Sequence, residues 1–138
     1  ELVRGAYVLS ASEGARPDVI LIGTGSEVAI ALEAQALLRE DGIDARVVSM
    51  PSWELFEAQP QAYRDEVLPP DVTARIAVEA ASPFGWERWV GTEGRVVGIA
   101  GRFGASAPYN VIYEKLGLTP ANVAQQAREL VRRAARAR

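Results

Sequence analysis

The sequence predicts an α/β domain of three layers, α/β/α, on a five-stranded mixed sheet that is mostly parallel and has its first strand as an antiparallel edge. Three observations carry this expectation. Strand and helix patterns alternate along the chain, the arrangement that builds βαβ units. The run Val19-Ile20-Leu21-Ile22 is continuously apolar, as a parallel strand covered on both faces must be. The last helical pattern places Val123, Ala127, Leu130 and Ala134 on one face, a stripe fit to cover a sheet.

Taken in order, a short strand over about Gly5 to Leu9 ends in the polar stretch Ser10 to Pro17, where Gly14 and Pro17 mark a turn. Asp18 to Ile22 is the first buried strand. The turn between these two strands is too short for the crossover that parallel neighbours need, which puts the first strand antiparallel at an edge. Glu27 to Glu40 is Ala-rich and favourable to helix, with Asp41-Gly42 as its stop. Glu33 and Glu40 mark a solvated side, and the remaining surface is apolar enough to pack on the sheet and on a neighbouring domain. Arg46 to Met50 reads as a strand closed by Pro51, and Ser52 as the N-cap of a short helix through Trp53, Leu55 and Phe56. Gln61 to Val67 is a second helical piece that stops at Pro69-Pro70. Ala74 to Glu79 is a strand, and a helix through Trp86, Trp89 and Val90 ends at Gly91. Arg95 to Ile99 makes the fifth strand. Thr119 caps the last helix, with Pro120 at its first position.

The length of 138 residues fits one domain, residues 1–138. An apolar fraction of 49% with 24% charged residues separates the chain from disordered sequences. A net charge of −3 argues against nucleic acid or an anionic membrane as partner. No apolar run is long enough to span a bilayer and no signal peptide opens the chain, so the expected location is the cytoplasm. The chain has no Cys and no His. Disulfides, Ser-His-Asp and Cys-His triads and nearly every zinc site are thereby excluded, leaving carboxylate, Lys, Tyr or Arg chemistry. Glu1 in place of an initiator Met points to a fragment of a longer chain, whether made by design, by proteolysis or as one subunit of a split enzyme.

Gly23-Thr24-Gly25-Ser26 lies between a buried strand and a helix, where free N–H groups and the helix dipole can receive an anion. A dinucleotide fingerprint would need Gly at Val28 and an acid at the end of the next strand, where Ser49-Met50 stand; a Walker loop would need Gly-Lys-Ser/Thr. A structural turn is the plainer reading, because tight βα turns need Gly regardless. If the strands starting at Asp18 and Ala74 are neighbours, their carboxyl ends frame a crevice lined by Gly23 to Ser26 and by Glu79 to Ser82, with Gly23, Thr24, Gly25, Ser26, Glu79 and Ser82 as candidate ligand residues. Against this, a lone acid at a strand end, such as Glu79, more often anchors a loop. Trp86, Arg88 and Trp89 are interrupted by Glu87 and read as packing rather than as a nucleic-acid surface. Arg128, Arg132, Arg133, Arg136 and Arg138 complement the last helix dipole, and Glu129 stands at pairing distance from Arg133.

Two longer stretches, Val47-Val48-Ser49-Met50-Pro51-Ser52-Trp53-Glu54-Leu55-Phe56-Glu57-Ala58-Gln59 and Phe103-Gly104-Ala105-Ser106-Ala107-Pro108, resemble the C-terminal domain of transketolase. The resemblance extends through Gly23-Thr24-Gly25-Ser26-Glu27-Val28, Val67-Leu68-Pro69, Gly117-Leu118-Thr119 and Asn122-Val123. Gly101 stands where many members carry an acid, and Leu116 where an aromatic is common. The resemblance implies a three-domain, cytoplasmic homodimer that moves a two-carbon ketol unit between sugar phosphates in the pentose phosphate pathway, using thiamine diphosphate and Mg²⁺ or Ca²⁺. In that family the cofactor and the catalytic histidines belong to the first two domains. The expectation is therefore a segment that binds no cofactor or metal, carries no catalytic residue and packs on the other two domains through the Glu27 to Glu40 helix or the Phe84 to Trp89 segment. The competing reading is a regulatory module that binds a small anion or nucleotide in the crevice.

Overall fold

The computed structural model describes residues 4–79, 85–98 and 117–137. Among them the elements are β1 (Tyr7–Ser10), β2 (Val19–Gly23), α1 (Glu27–Glu40), β3 (Ala45–Ser49), α2 (Trp53–Glu57), α3 (Gln61–Val67), β4 (Arg75–Glu79), α4 (Glu87–Val90), β5 (Arg95–Gly98) and α5 (Pro120–Ala137). The sheet order is β1-β3-β2-β4-β5. β1 runs antiparallel to β3 at the edge, and the pairs β2–β3, β2–β4 and β4–β5 are parallel. The expected mixed sheet with an antiparallel first strand is what forms. Ile99, expected to end the fifth strand, lies outside the described residues.

Strand parity divides the interior in two. Val19 and Leu21 of β2 enter a core with Ile30, Ala34 and Leu38 of α1 and with Val123, Ala127 and Leu130 of α5. Ile20 and Ile22 enter a second core with Phe56 of α2, Val67 of α3 and Trp86, Trp89 and Val90 on and beside α4. Because successive side chains of a strand point to opposite faces, a strand buried on both faces cannot alternate polar with apolar. Every residue of β2 is accordingly buried.

Local chemistry sets the helix ends. Ser52 is extended and accepts the Leu55 N–H on its hydroxyl at 3.3 Å, starting α2 as expected. Thr119 does the same for the Asn122 N–H at 3.2 Å at the start of α5. Gly91 closes α4 with a φ of 74°, a left-handed conformation that glycine adopts without strain. Gln35, buried on α1, donates to the carbonyl of Ala45 at 3.0 Å and accepts from the Ser10 hydroxyl at 2.8 Å, pinning the helix to the edge strand β1 and to its neighbour β3.

The aromatic residues pack inward. Trp86 and Trp89 are 1% and 7% exposed. Trp53 meets Trp86 edge-on at 5.0 Å between ring centroids, and Phe56 lies 5.3 Å from Trp89. Trp86 and Trp89 thus spend their apolar area inside this domain, where the aromatic contacts favour it, and have little left to offer a neighbour. Phe84 lies outside the described residues. The exposed large apolar side chains among the described residues are Leu9, Leu32 and Leu55, on three different elements.

Two arginines at the amino-terminal edge of the sheet tie down the far end of α3. Arg46 of β3 donates to the carbonyls of Glu66 and Val67 at 2.9 and 3.2 Å. Arg75 of β4 donates to those of Leu68, Pro69 and Val72 at 3.2, 2.8 and 2.9 Å, and to Trp89 at 2.6 Å. The last carbonyls of a helix lack intrahelical partners and carry its negative dipole end, so a guanidinium both bonds and charge-matches them. Burial pushes both guanidiniums below their ordinary pKa, partly offset by Glu66 and Asp44 near Arg46 and by Asp65 near Arg75. On α5, Glu129 pairs with Arg95 of β5 at 2.7 Å, joining helix to sheet where i,i+4 spacing had pointed to Arg133. An arginine rising from the sheet edge offers Glu129 a half-buried partner, whereas Arg133 is exposed.

Replacing Arg75 strands several carbonyls at once, while Arg88 makes a surface pair with Glu57 and lies over the rings of Trp53 and Trp89. Arg75→Met is expected to lower unfolding free energy by about 2–4 kcal/mol, and Arg88→Met by less than about 1 kcal/mol. Urea denaturation of the two variants measures the difference.

Candidate functional site

β2 leads through α1 to β3 on one side, and the chain returns through α2 and α3 to β4 on the other side of β2, so the order reverses between β2 and β4. In open α/β sheets the crevice at the carboxyl ends of such strands is where ligands tend to sit. The register places Gly23 of β2 opposite Val78 of β4, which brings Glu79 to the same edge. Five of the six candidate residues, Gly23, Thr24, Gly25, Ser26 and Glu79, therefore gather there. Ser82 lies outside the described residues.

The turn itself is tightly built. A Cβ on Gly23 would stand 3.3 Å from the backbone of Glu27 and from the Cα of Val28, so glycine lets the strand end pass close beneath α1. Gly25 has a φ of 53° in open space, a conformation that favours glycine. The first N–H groups of α1 are already engaged: Glu27 donates to the Thr24 carbonyl at 3.1 Å, Val28 to Gly25 at 3.2 Å and Ala29 to Ser26 at 3.3 Å. Ser26 is itself helical and makes no side-chain cap. Its hydroxyl instead donates to the Glu27 carboxylate at 2.5 Å. Glu27 is 6% exposed and puts a negative charge beside the positive end of the helix dipole. The N–H groups and the local charge that an incoming anion would need are thus largely occupied by the chain.

Glu79 has the geometry of a loop anchor, accepting the Trp86 indole N–H at 3.3 Å. That bond ties the end of β4 to the segment before α4. Gly98 of β5 lets the strands close up here, since a Cβ on it would lie 2.4 Å from the Glu79 carbonyl. Sequence reasoning did not single out Glu27. Its one legible mark was its place as the first helical residue after the turn, where an acid suits the dipole. Among the described residues no group of three or more His, Cys, Asp or Glu side chains is arranged to hold a metal ion.

Among the described residues this edge offers two carboxylates, each with a hydrogen-bonded neighbour, and a packed glycine turn. Gly23→Ala is expected to cost about 1–3 kcal/mol through the forced shift of α1. Inorganic phosphate is expected to leave the melting temperature of the wild-type chain unchanged. Differential scanning fluorimetry of both proteins with and without phosphate checks the two outcomes together; saturable stabilisation by phosphate would show that the turn accepts anions after all.

Residues 5–119 match the family described as the transketolase-like TK C-terminal domain. The transketolase of Geobacillus stearothermophilus is 50% identical over 128 residues, a match that covers 93% of this chain and 19% of that relative. Among solved structures, the transketolase from Leishmania mexicana superposes with a TM-score of 0.86 at 41% identity, covering 96% of this chain and 18% of that one. A structure described as a split gene transketolase, inactive β4 tetramer, superposes at 0.70 and 27% identity, covering 91% of this chain and 42% of that one. The chain spans about a fifth of the length of the curated relatives it matches. On this footing the chain belongs to the transketolase family, as its C-terminal domain.

Proposed function

We propose that residues 1–138 form a scaffolding domain within a larger transketolase, and that the chemistry of ketol transfer is done by protein outside them. In this reading the whole enzyme is a cytoplasmic homodimer that moves a two-carbon unit between sugar phosphates of the pentose phosphate pathway. Thiamine diphosphate, with Mg²⁺ or Ca²⁺, supplies the carbanion chemistry when bound to the other two domains. The observation that carries the proposal is the absence of histidine from a chain that aligns with only 19% of a transketolase. Proton transfers at neutral pH fall most often to histidine.

The fit of the cofactor points the same way. A diphosphate needs open N–H donors or cations, and a divalent ion needs a cluster of oxygen ligands. At the β2–α1 turn the first helical N–H groups already donate to Thr24, Gly25 and Ser26, and the Glu27 carboxylate would repel a diphosphate. The residues of this edge do not fit the group, so no step is assigned through it. Gly23 to Ser26 and Glu79 then serve to hold α1 and the segment before α4 against the sheet.

One observation favours a variant of the reading, in which the domain is supplied on a separate chain. The split gene structure, described as inactive, contains a domain of this fold within a longer chain. Either arrangement leaves the present segment without turnover of its own. In an assay with ketose donor, aldose acceptor, thiamine diphosphate and Mg²⁺, the 138-residue chain alone is expected to show no ketol transfer. Measurable turnover that survives repurification would refute the proposal.

A further inference from the structure

At the opposite edge of the sheet, beneath α3 and beside the start of β4, lies a cavity of about 410 Å³. That volume falls within the range that accommodates small organic ligands. Its lining includes the apolar residues Phe56, Leu68, Trp89 and Val90 together with Arg64 and Arg75. Arg75 is partly buried and spends its described bonds on neutral carbonyls. Arg64 likewise bonds the Gln59 carbonyl at 3.2 Å and the Gln61 side-chain oxygen at 2.7 Å. Among the described residues neither guanidinium has a carboxylate at ion-pairing distance. Asp65 acts on Arg75 through space without pairing with it, so a bound anion would meet two guanidiniums that no ion pair closes among the described residues.

The other charges of the cavity refine this picture. Arg88 is held by Glu57 and stacks over Trp53 at 5.5 Å, so its charge is already matched. Asp65 accepts from Gln61 at 2.7 Å, and Glu93 is exposed. These two acids set a limit on how much negative charge the cavity tolerates, which favours a singly charged ligand over a phosphate ester. Trp89, whose indole N–H is buried without an acceptor among the described residues, provides a reporter in the wall.

We propose that this cavity binds a small monocarboxylate with an apolar body, its carboxylate meeting the guanidiniums of Arg64 and Arg75 and its body lying against Phe56, Trp89 and Val90. The site is separate from the β2–β4 crevice and does not depend on the scaffolding role. Planar guanidinium groups suit a carboxylate, and apolar contact adds affinity in proportion to the area covered. Burial lowers the pKa of Arg75, and nearby Asp65 offsets this only in part.

The test is a titration of the chain followed through the indole N–H resonances of Trp53, Trp86 and Trp89 by ¹H–¹⁵N NMR. The probes are 3-phenylpropionate, phenylalanine and the neutral 3-phenylpropanamide. Saturable displacement of the Trp89 resonance by millimolar 3-phenylpropionate is expected, with affinity about tenfold weaker for the amide and for the Arg64→Gln variant, each a loss of about 1.4 kcal/mol. Arg64→Gln is used because Arg75 variants risk unfolding; an unchanged far-UV circular dichroism spectrum confirms its fold. Tighter binding of phenylalanine than of 3-phenylpropionate would identify the natural class as an apolar amino acid, its ammonium received by Asp65 or Glu93; weaker binding would identify a simple acid. No saturable shift with 3-phenylpropionate, equal binding of the amide, or undiminished binding to Arg64→Gln would each overturn the proposal.

Discussion

The fold depends on the burial of β2 from both sides. Four of its five residues, Val19 to Ile22, contribute side chains alternately to the α1–α5 core and to the core under α2, α3 and α4, so both helical layers rest on the same strand. The paired strands β3 and β4 are fixed by its register, and through them the edges β1 and β5. The close passage of α1 over Gly23 then follows from sheet geometry. The glycine turn from Gly23 to Ser26 is the place where the central strand hands over to the helix that covers it.

Most of the architecture was legible in the sequence because it rests on local chemistry. Glu27 to Glu40 and Gln61 to Val67 form helices with the expected bounds, set by favourable composition and by stops at Asp41-Gly42 and before Pro69. Ser52 and Thr119 cap as their side chains allow. The antiparallel edge followed from a connection too short for a crossover. Strand limits moved by about one residue, as at Arg46 to Met50 against Ala45–Ser49. Strand ends are set by partners distant in sequence, and so are less visible locally.

What escaped sequence reading was long-range by nature. Arg46 and Arg75 look like ordinary strand residues until α3 and the loop after it are placed over the amino edge and their carbonyls meet them. Glu129 had an obvious helical partner in Arg133 and takes Arg95 instead, since tertiary pairing with a half-buried arginine outweighs a solvent-exposed i,i+4 contact. At the candidate site, Gly23 to Ser26 and Glu79 were recognisable as neighbours. The engagement of the first α1 N–H groups was not, because it depends on Ser26 adopting a helical conformation in place of the extended one of a capping serine.

These features place the weight of the domain in packing; among the described residues, Glu27 and Glu79 are the carboxylates at the edge where α/β domains usually hold a ligand. The most direct measurement is kcat and KM for ketol transfer by an intact enzyme carrying Glu79→Gln, with the fold verified by its melting curve. A scaffolding domain predicts values within about twofold of wild type. A fall in kcat of about 10²-fold or more with an unaltered fold, the range lost with a general acid or base, would contradict the account.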